Sequence, residues 1–282
     1  MRWSRLFGRG GDPAAGQPAA GDAVVREKAF RLTSTAENST VAWWDQYEYV
    51  EDIRDGRGYT GGLVGFTTAT SDMLELVERY AGARPTGNPL APYLPGLRAC
   101  AEFGETVDQA AYGRDGAGAS VAADRHLGPA FLTAWVQAAR TDPVFRRCQR
   151  DLRDEVYWRP ALEAAVADGL GPLGRALYYD TLVNHGPGEA GSGDGSFTDI
   201  RSRTPGARPV DGGAEAVWLA AFLGRRSAVL TEWGDNPPDG RVAMFGRLLD
   251  SGNLGLTTPF SWSVYGDAFT MATDPDPRGA RP

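Results

Sequence analysis

Between Glu37 and Asp55 the chain sets six acids, Glu37, Asp45, Glu48, Glu51, Asp52 and Asp55, against the single base Arg54. Trp43, Trp44, Tyr47 and Tyr49 stand among them. Aromatic rings stack on the faces of pyranoses, while carboxylates bind hydroxyl or ammonium groups, so the mixture suits a sugar site. The same residues also describe an acidic, solvated face over a tyrosine-rich core. Spacing alone does not choose between the two.

Two of the acids stand in different surroundings. Glu37 stands in the run Ser34-Thr35-Ala36-Glu37-Asn38-Ser39 at the end of an expected helix, where packed neighbours would shield its carboxyl and raise its pKa. Asp55 opens the turn Asp55-Gly56-Arg57-Gly58, within reach of water. One shielded acid and one hydrated base are what glycoside hydrolysis requires. A helix-end glutamate and a turn aspartate are equally ordinary structure.

The elements that must position these groups are mostly helical. Val25, Ala29, Leu32 and Ala36 recur at spacings of four, three and four, predicting a helix that runs towards Glu37. Met73, Leu76, Val77 and Tyr80 predict a second, opened by Ser71 or Asp72, and Phe131, Trp135 and Ala138 a third. Phe145, Cys148, Leu152 and Val156 predict a long helix that Pro160 stops or kinks. Leu173, Leu177 and Asp180 lead to a terminator at His185-Gly186-Pro187-Gly188. Two further helices follow at about 215–232 and 241–251, the last ended by Gly252-Asn253. The exception is 47–67, where alternation through Tyr47, Tyr49, Glu51 and Ile53 and the run Leu63–Thr67 predict a small antiparallel ribbon. Glycine-rich stretches at 112–119 and 186–198 read as surface loops, and Trp43 and Trp135 as core.

Composition bounds the partners. The 282 residues carry a formal charge of −7, which excludes a general nucleic-acid binder needing a basic face. Two histidines, His126 and His185, and two cysteines, Cys100 and Cys148, offer no zinc-ligand pattern, so no structural or catalytic zinc is expected. Two cysteines also make no disulfide framework. No run approaches the length of a membrane helix, and Met1–Arg9 has a positive flank without the apolar run of a signal peptide. The expected organisation is a disordered arm over 1–22, one catalytic domain over 23–271 and a flexible tail over 272–282.

A family resemblance is far more specific. Ala36-Glu37-Asn38-Ser39, the run from Gln46 to Gly62, Asp72-Met73-Leu74-Glu75-Leu76-Val77 and His185-Gly186-Pro187-Gly188 closely resemble the signature of the family 46 chitosanases. The likeness returns in Tyr178-Tyr179-Asp180, Leu230-Thr231-Glu232, Arg241-Val242 and Tyr265-Gly266-Asp267. It implies a mainly α, lysozyme-like fold with a small antiparallel sheet and two lobes about a substrate cleft. It implies, too, an exported enzyme that uses no metal and cuts the β-1,4 links of chitosan and glucosamine oligosaccharides with inversion; a monomer without a cofactor is expected.

By the same resemblance Glu37 is the general acid, Asp55 the general base and Thr60 the holder of the attacking water. Asp72 would pair with a glucosamine ammonium, and Asn38, Tyr49, Arg57, His185 and Glu232 would touch sugar. Asp180, Arg225 and Arg241 would form a charge network behind the catalytic groups. Asp72 as a helix cap, His185 as a helix-end histidine and a purely structural ion network are the plain alternatives. At the level of the whole protein, the alternatives are a muramidase-type lysozyme and a silent glucosamine-polymer binder. The segment between Cys100 and His126 is longer than the family pattern.

Overall fold

A computed structural model describes residues 20–54, 56–106 and 116–277. Eleven helices are described: α1 (Ala20–Asn38), α2 (Asp72–Ala83), α3 (Leu94–Thr106), α4 (Gly116–His126), α5 (Gly128–Thr141), α6 (Pro143–Arg153), α7 (Arg159–Asp168), α8 (Pro172–His185), α9 (Phe197–Ser202), α10 (Glu215–Trp233) and α11 (Arg241–Asp250). Strands β1 (Val50–Asp52), β2 (Tyr59–Gly61) and β3 (Phe66–Thr67) form one antiparallel sheet, and β4 (Phe260–Val264) pairs with β5 (Asp267–Met271). The helical character and the small sheet match the expected class. Among the described residues no helix is long and apolar enough to cross a membrane.

The chain divides into two compact units, one being Trp44–Val156 and the other the described parts of Gly16–Trp43 and Tyr157–Arg281. In the first, Trp135, Phe131, Phe145 and Tyr80 are almost wholly buried. Trp135 meets Phe145 edge-on at 4.9 Å, a favoured geometry for paired rings. The turn that leads into the small sheet is fastened to this core through polar groups. The indole of Trp135 and the amide of Gln149 both donate to the carbonyl of Tyr47 at 3.1 Å. Gln149 is fully buried, so each bond it makes offsets the cost of its desolvation.

In the second unit α1 and α8 pack around Phe30, whose ring lies 5.0 Å from Tyr179, 5.7 Å from Trp158 and 6.0 Å from Trp43. Trp43 is core, as expected, and its indole donates to Glu27. Asp168 is a buried polar centre. It accepts a two-pronged bond from Arg201 at 2.7 Å and another from the Tyr178 hydroxyl at 2.7 Å.

Several expectations move. The helix begins at Ala20, inside the expected arm, and Asp22 is ion-paired with Arg175 at 2.6 Å. The tail is fixed at least to Asp274, which meets Lys28 at 2.7 Å and accepts from Thr258 at 3.0 Å. The glycine-rich stretch at 112–119 is helical from Gly116, its earlier part lying outside the described residues. The ribbon at 47–67 has three short strands rather than two, with Tyr47 in a 3₁₀ turn, Trp43–Glu48. Pro160 does interrupt its helix, through a π turn at Asp154–Trp158. Cys100 and Cys148 are both buried and free.

Candidate active site

Glu37 occupies the last turn of α1, where the helix leaves its packed stretch, Leu32–Ala36. The shielding expected there is absent: the side chain is 36% exposed and ion-paired with Arg241. Arg241 is the first residue of α11 and is nearly buried. Desolvation works against its charge, yet Glu37 and Asp180 beside it hold the guanidinium above its ordinary value. Its other arm donates to Asp180 at 3.0 Å.

Asp180, fully buried on α8, meets Arg226 at 2.7 Å through its second oxygen. Burial opposes ionisation, but the two guanidiniums keep its carboxyl below the usual carboxylate range. The expected partner was Arg225. That residue instead lies 3.9 Å from Asp199, with its side chain 31% exposed. The correction has a helical cause. On α10 the buried stripe runs Leu219, Phe222, Arg226, Val229 and Leu230, at spacings of three, four, three and one, and Arg226 lies on it.

The network continues from Arg226 to His185, at the end of α8. Arg226 Nε donates to His185 Nε2 at 3.2 Å, and His185 Nδ1 contacts the carbonyl of Gly195 at 2.8 Å. Burial, then the charge of Arg226, push the imidazole down to about 3, so the ring is neutral. Both nitrogens are engaged within the unit, which leaves only the ring's face and carbon edge for substrate. Asn38 and Glu232 are exposed, on α1 and α10.

In the other unit Asp55 lies outside the described residues. Its sequence neighbours are held to α4. Asp52 accepts from the Ser120 hydroxyl at 2.9 Å, Arg54 meets Asp52 at 3.4 Å, and the Tyr59 hydroxyl donates to Asp124 at 2.7 Å. Gly58 has φ +72°, and a Cβ there would lie 2.3 Å from Thr68 Oγ1, so no other residue fits without rearrangement. Thr60, mid-β2, is 5% exposed, and its hydroxyl has no hydrogen-bond partner among the described residues. Arg57 is exposed, and Tyr49 donates to Glu51 at 2.8 Å.

Asp72 opens α2 and is nearly buried. Its Oδ1 accepts from Thr67 N at 2.7 Å, Thr70 Oγ1 at 2.8 Å and Met73 N at 2.9 Å. The capping alternative is thus realised through one oxygen. Burial still outweighs these donors and raises the carboxyl to about 6.

An exposed carboxyl anchored by a buried guanidinium–carboxylate relay has the parts of a positioned proton donor. Comparison with known proteins makes the class specific: the model of glycosyl hydrolase family 46 matches residues 31–260. The chain belongs to that family. It is 41% identical over 253 residues to the chitosanase of Streptomyces sp. (strain N174), covering 89% of this chain and 83% of that one. The chitosanase of Nocardioides sp. (strain N106) is 38% identical, with 89% and 82% covered. A complex of the Gynuella sunshinyii family 46 chitosanase with chitotetraose superposes with a TM-score of 0.71 at 33% identity, covering 90% of this chain and 99% of that one.

Proposed function

We propose that the protein is an endo-acting chitosanase that hydrolyses β-1,4 links between glucosamine units with inversion. Glu37 donates a proton to the bridging oxygen as the sugar gains oxocarbenium character, and Asp55 takes a proton from the attacking water. Inversion needs the two carboxyl groups about 6.5–9.5 Å apart. The observation that carries this reading is the Arg241 fork, which fixes an otherwise exposed acid on a buried base of charge.

Thr60 offers to the attacking water a hydroxyl that has no partner among the described residues, and Asp72 receives a glucosamine ammonium. That contact discriminates against N-acetylated polymers, because acetylation removes the cation and leaves a buried carboxylate without its partner. Asn38, Tyr49, Arg57 and Glu232 line the sugar path. The overall acidity of the chain helps to gather a polycation. A polymeric substrate also places the site of action outside the cell.

The deciding experiment is side-by-side digestion of deacetylated chitosan, chitin and peptidoglycan, with products resolved by mass spectrometry. Glucosamine oligomers released from chitosan alone are expected. Preferential cleavage of peptidoglycan would favour a muramidase, and tight chitosan binding without any cleavage would favour a silent binder.

A further inference from the structure

Trp233 is the last residue of α10 and, among the described residues, the one exposed tryptophan, with 50% of its surface open. It continues the buried stripe of α10 by one more step, three residues beyond Leu230, so the stripe outruns the core it packs against. The helix ends firmly there. Gly234 takes a left-handed conformation, Asp235 N bonds back to Leu230 O at 2.8 Å, and Asn236 donates to Thr231 Oγ1 at 2.9 Å. The indole is therefore presented from a closed helix end.

It is also braced. The His185 ring lies 5.0 Å away, inclined by 34°. The backbone of Gly195 runs so close that a Cβ there would sit 2.8 Å from Trp233 Cζ2, and Gly195 has φ +73°. His185 is itself fixed, by the Gly195 carbonyl and by Arg226. From Arg226 the contacts pass to Asp180, then Arg241, then Glu37. A rigid, half-open aromatic surface thus stands at the far end of the relay whose near end is the expected acid.

We propose that Trp233 is a platform on which a glucosamine ring of the substrate stacks, a binding and specificity residue for the chitosanase reading, on which this inference rests. The ring supplies an apolar face for pyranose C–H groups and a π-surface for the nearby ammonium. The neutral His185 beneath it adds no positive charge to repel that cation. Large amphipathic rings lose little freedom on binding, which suits them to this use.

The test measures affinity for a glucosamine hexamer in the Glu37→Gln protein, so that the ligand survives. Adding Trp233→Ala is expected to weaken binding about 2- to 30-fold, while Trp233→Phe stays within about 3-fold of the parent. With Glu37 intact, Trp233→Ala is expected to raise KM and leave kcat nearly unchanged, the pattern of lost uniform binding. A second readout needs no change at Trp233. In the Glu37→Gln protein, N-bromosuccinimide oxidation of the Trp233 peptide, followed by mass spectrometry, is expected to slow when the hexamer is present. This decides the matter even if Trp233→Ala fails to fold. Unchanged affinity or an oxidation rate indifferent to the hexamer, in a protein that cleaves chitosan, would overturn the platform and leave the chitosanase reading standing. A protein that neither binds nor cleaves chitosan would overturn both.

Discussion

Glu37 and Arg241 form an ion pair between the last turn of α1 and the first residue of α11. The pair sets the direction of a carboxyl that helix packing alone would leave free to swing. It works because Arg241 is held from behind by Asp180, and Asp180 by Arg226. Positioning of the acid is therefore an electrostatic matter settled three residues deep, and each member can be tested by its removal.

Arg226→Ala leaves Asp180 with one guanidinium in a fully buried site. Removing one partner of a buried pair costs about 3–5 kcal/mol, because the remaining charge is uncompensated. Arg225→Ala removes a partly exposed arginine 3.9 Å from its partner and is expected to cost about 0–1 kcal/mol. Urea denaturation of both variants separates the roles. Equal losses would remove Arg226 from the relay.

Asp72 gives opposite pH trends for stability and for binding. Its carboxyl rises from 3.8 to about 6 through burial, so between those values the native state holds a proton that the unfolded chain has released. Its contribution to stability is full below 3.8 and is lost as pH rises through about 6. Ammonium binding needs the charged form, present above about 6. KM for glucosamine oligomers is therefore expected to rise as pH falls from 7 to 5, at about tenfold per unit at most. In Asp72→Asn, KM is expected to be high and flat. A wild-type slope retained in that variant would assign the titration elsewhere.

Thr60→Val keeps the shape of the side chain and deletes a buried hydroxyl that no described group satisfies. Unfolding free energy is expected to stay the same or increase, since no described group loses a hydrogen bond and a buried polar group is removed. Turnover is expected to fall about 5- to 150-fold, the loss of one hydrogen bond worth about 1–3 kcal/mol to the attacking water. Loss of stability with unchanged turnover would make the hydroxyl structural.

Much of this was legible in the residues, for definable reasons. A strong apolar period marks α2, α5 and α10 in the string, and for α10 it also gives both ends to within a residue. Helices α3, α4 and α9 were missed, being glycine-bearing or very short, and so was the hairpin of β4 and β5. The misassignment of Arg225 shows where motif matching fails: two adjacent arginines are equivalent in a string but lie about 100° apart on a helix. Glu37 was expected to be shielded because a helix end suggests packing, whereas the side chain sits one step past the buried stretch. Nothing in the string singles out Trp233, because a tryptophan at helical spacing is the usual mark of a core position. Only the length of α10 beyond that core exposes it.

The most direct measurement follows the anomeric proton of newly released reducing ends by NMR, in the first minutes of cleavage of a glucosamine hexamer. With Glu37 as acid and Asp55 as base, the α-anomer should appear first, and Glu37→Gln should release none. A β-anomer as first product, or release by Glu37→Gln at the wild-type rate, would contradict the paired-carboxylate mechanism.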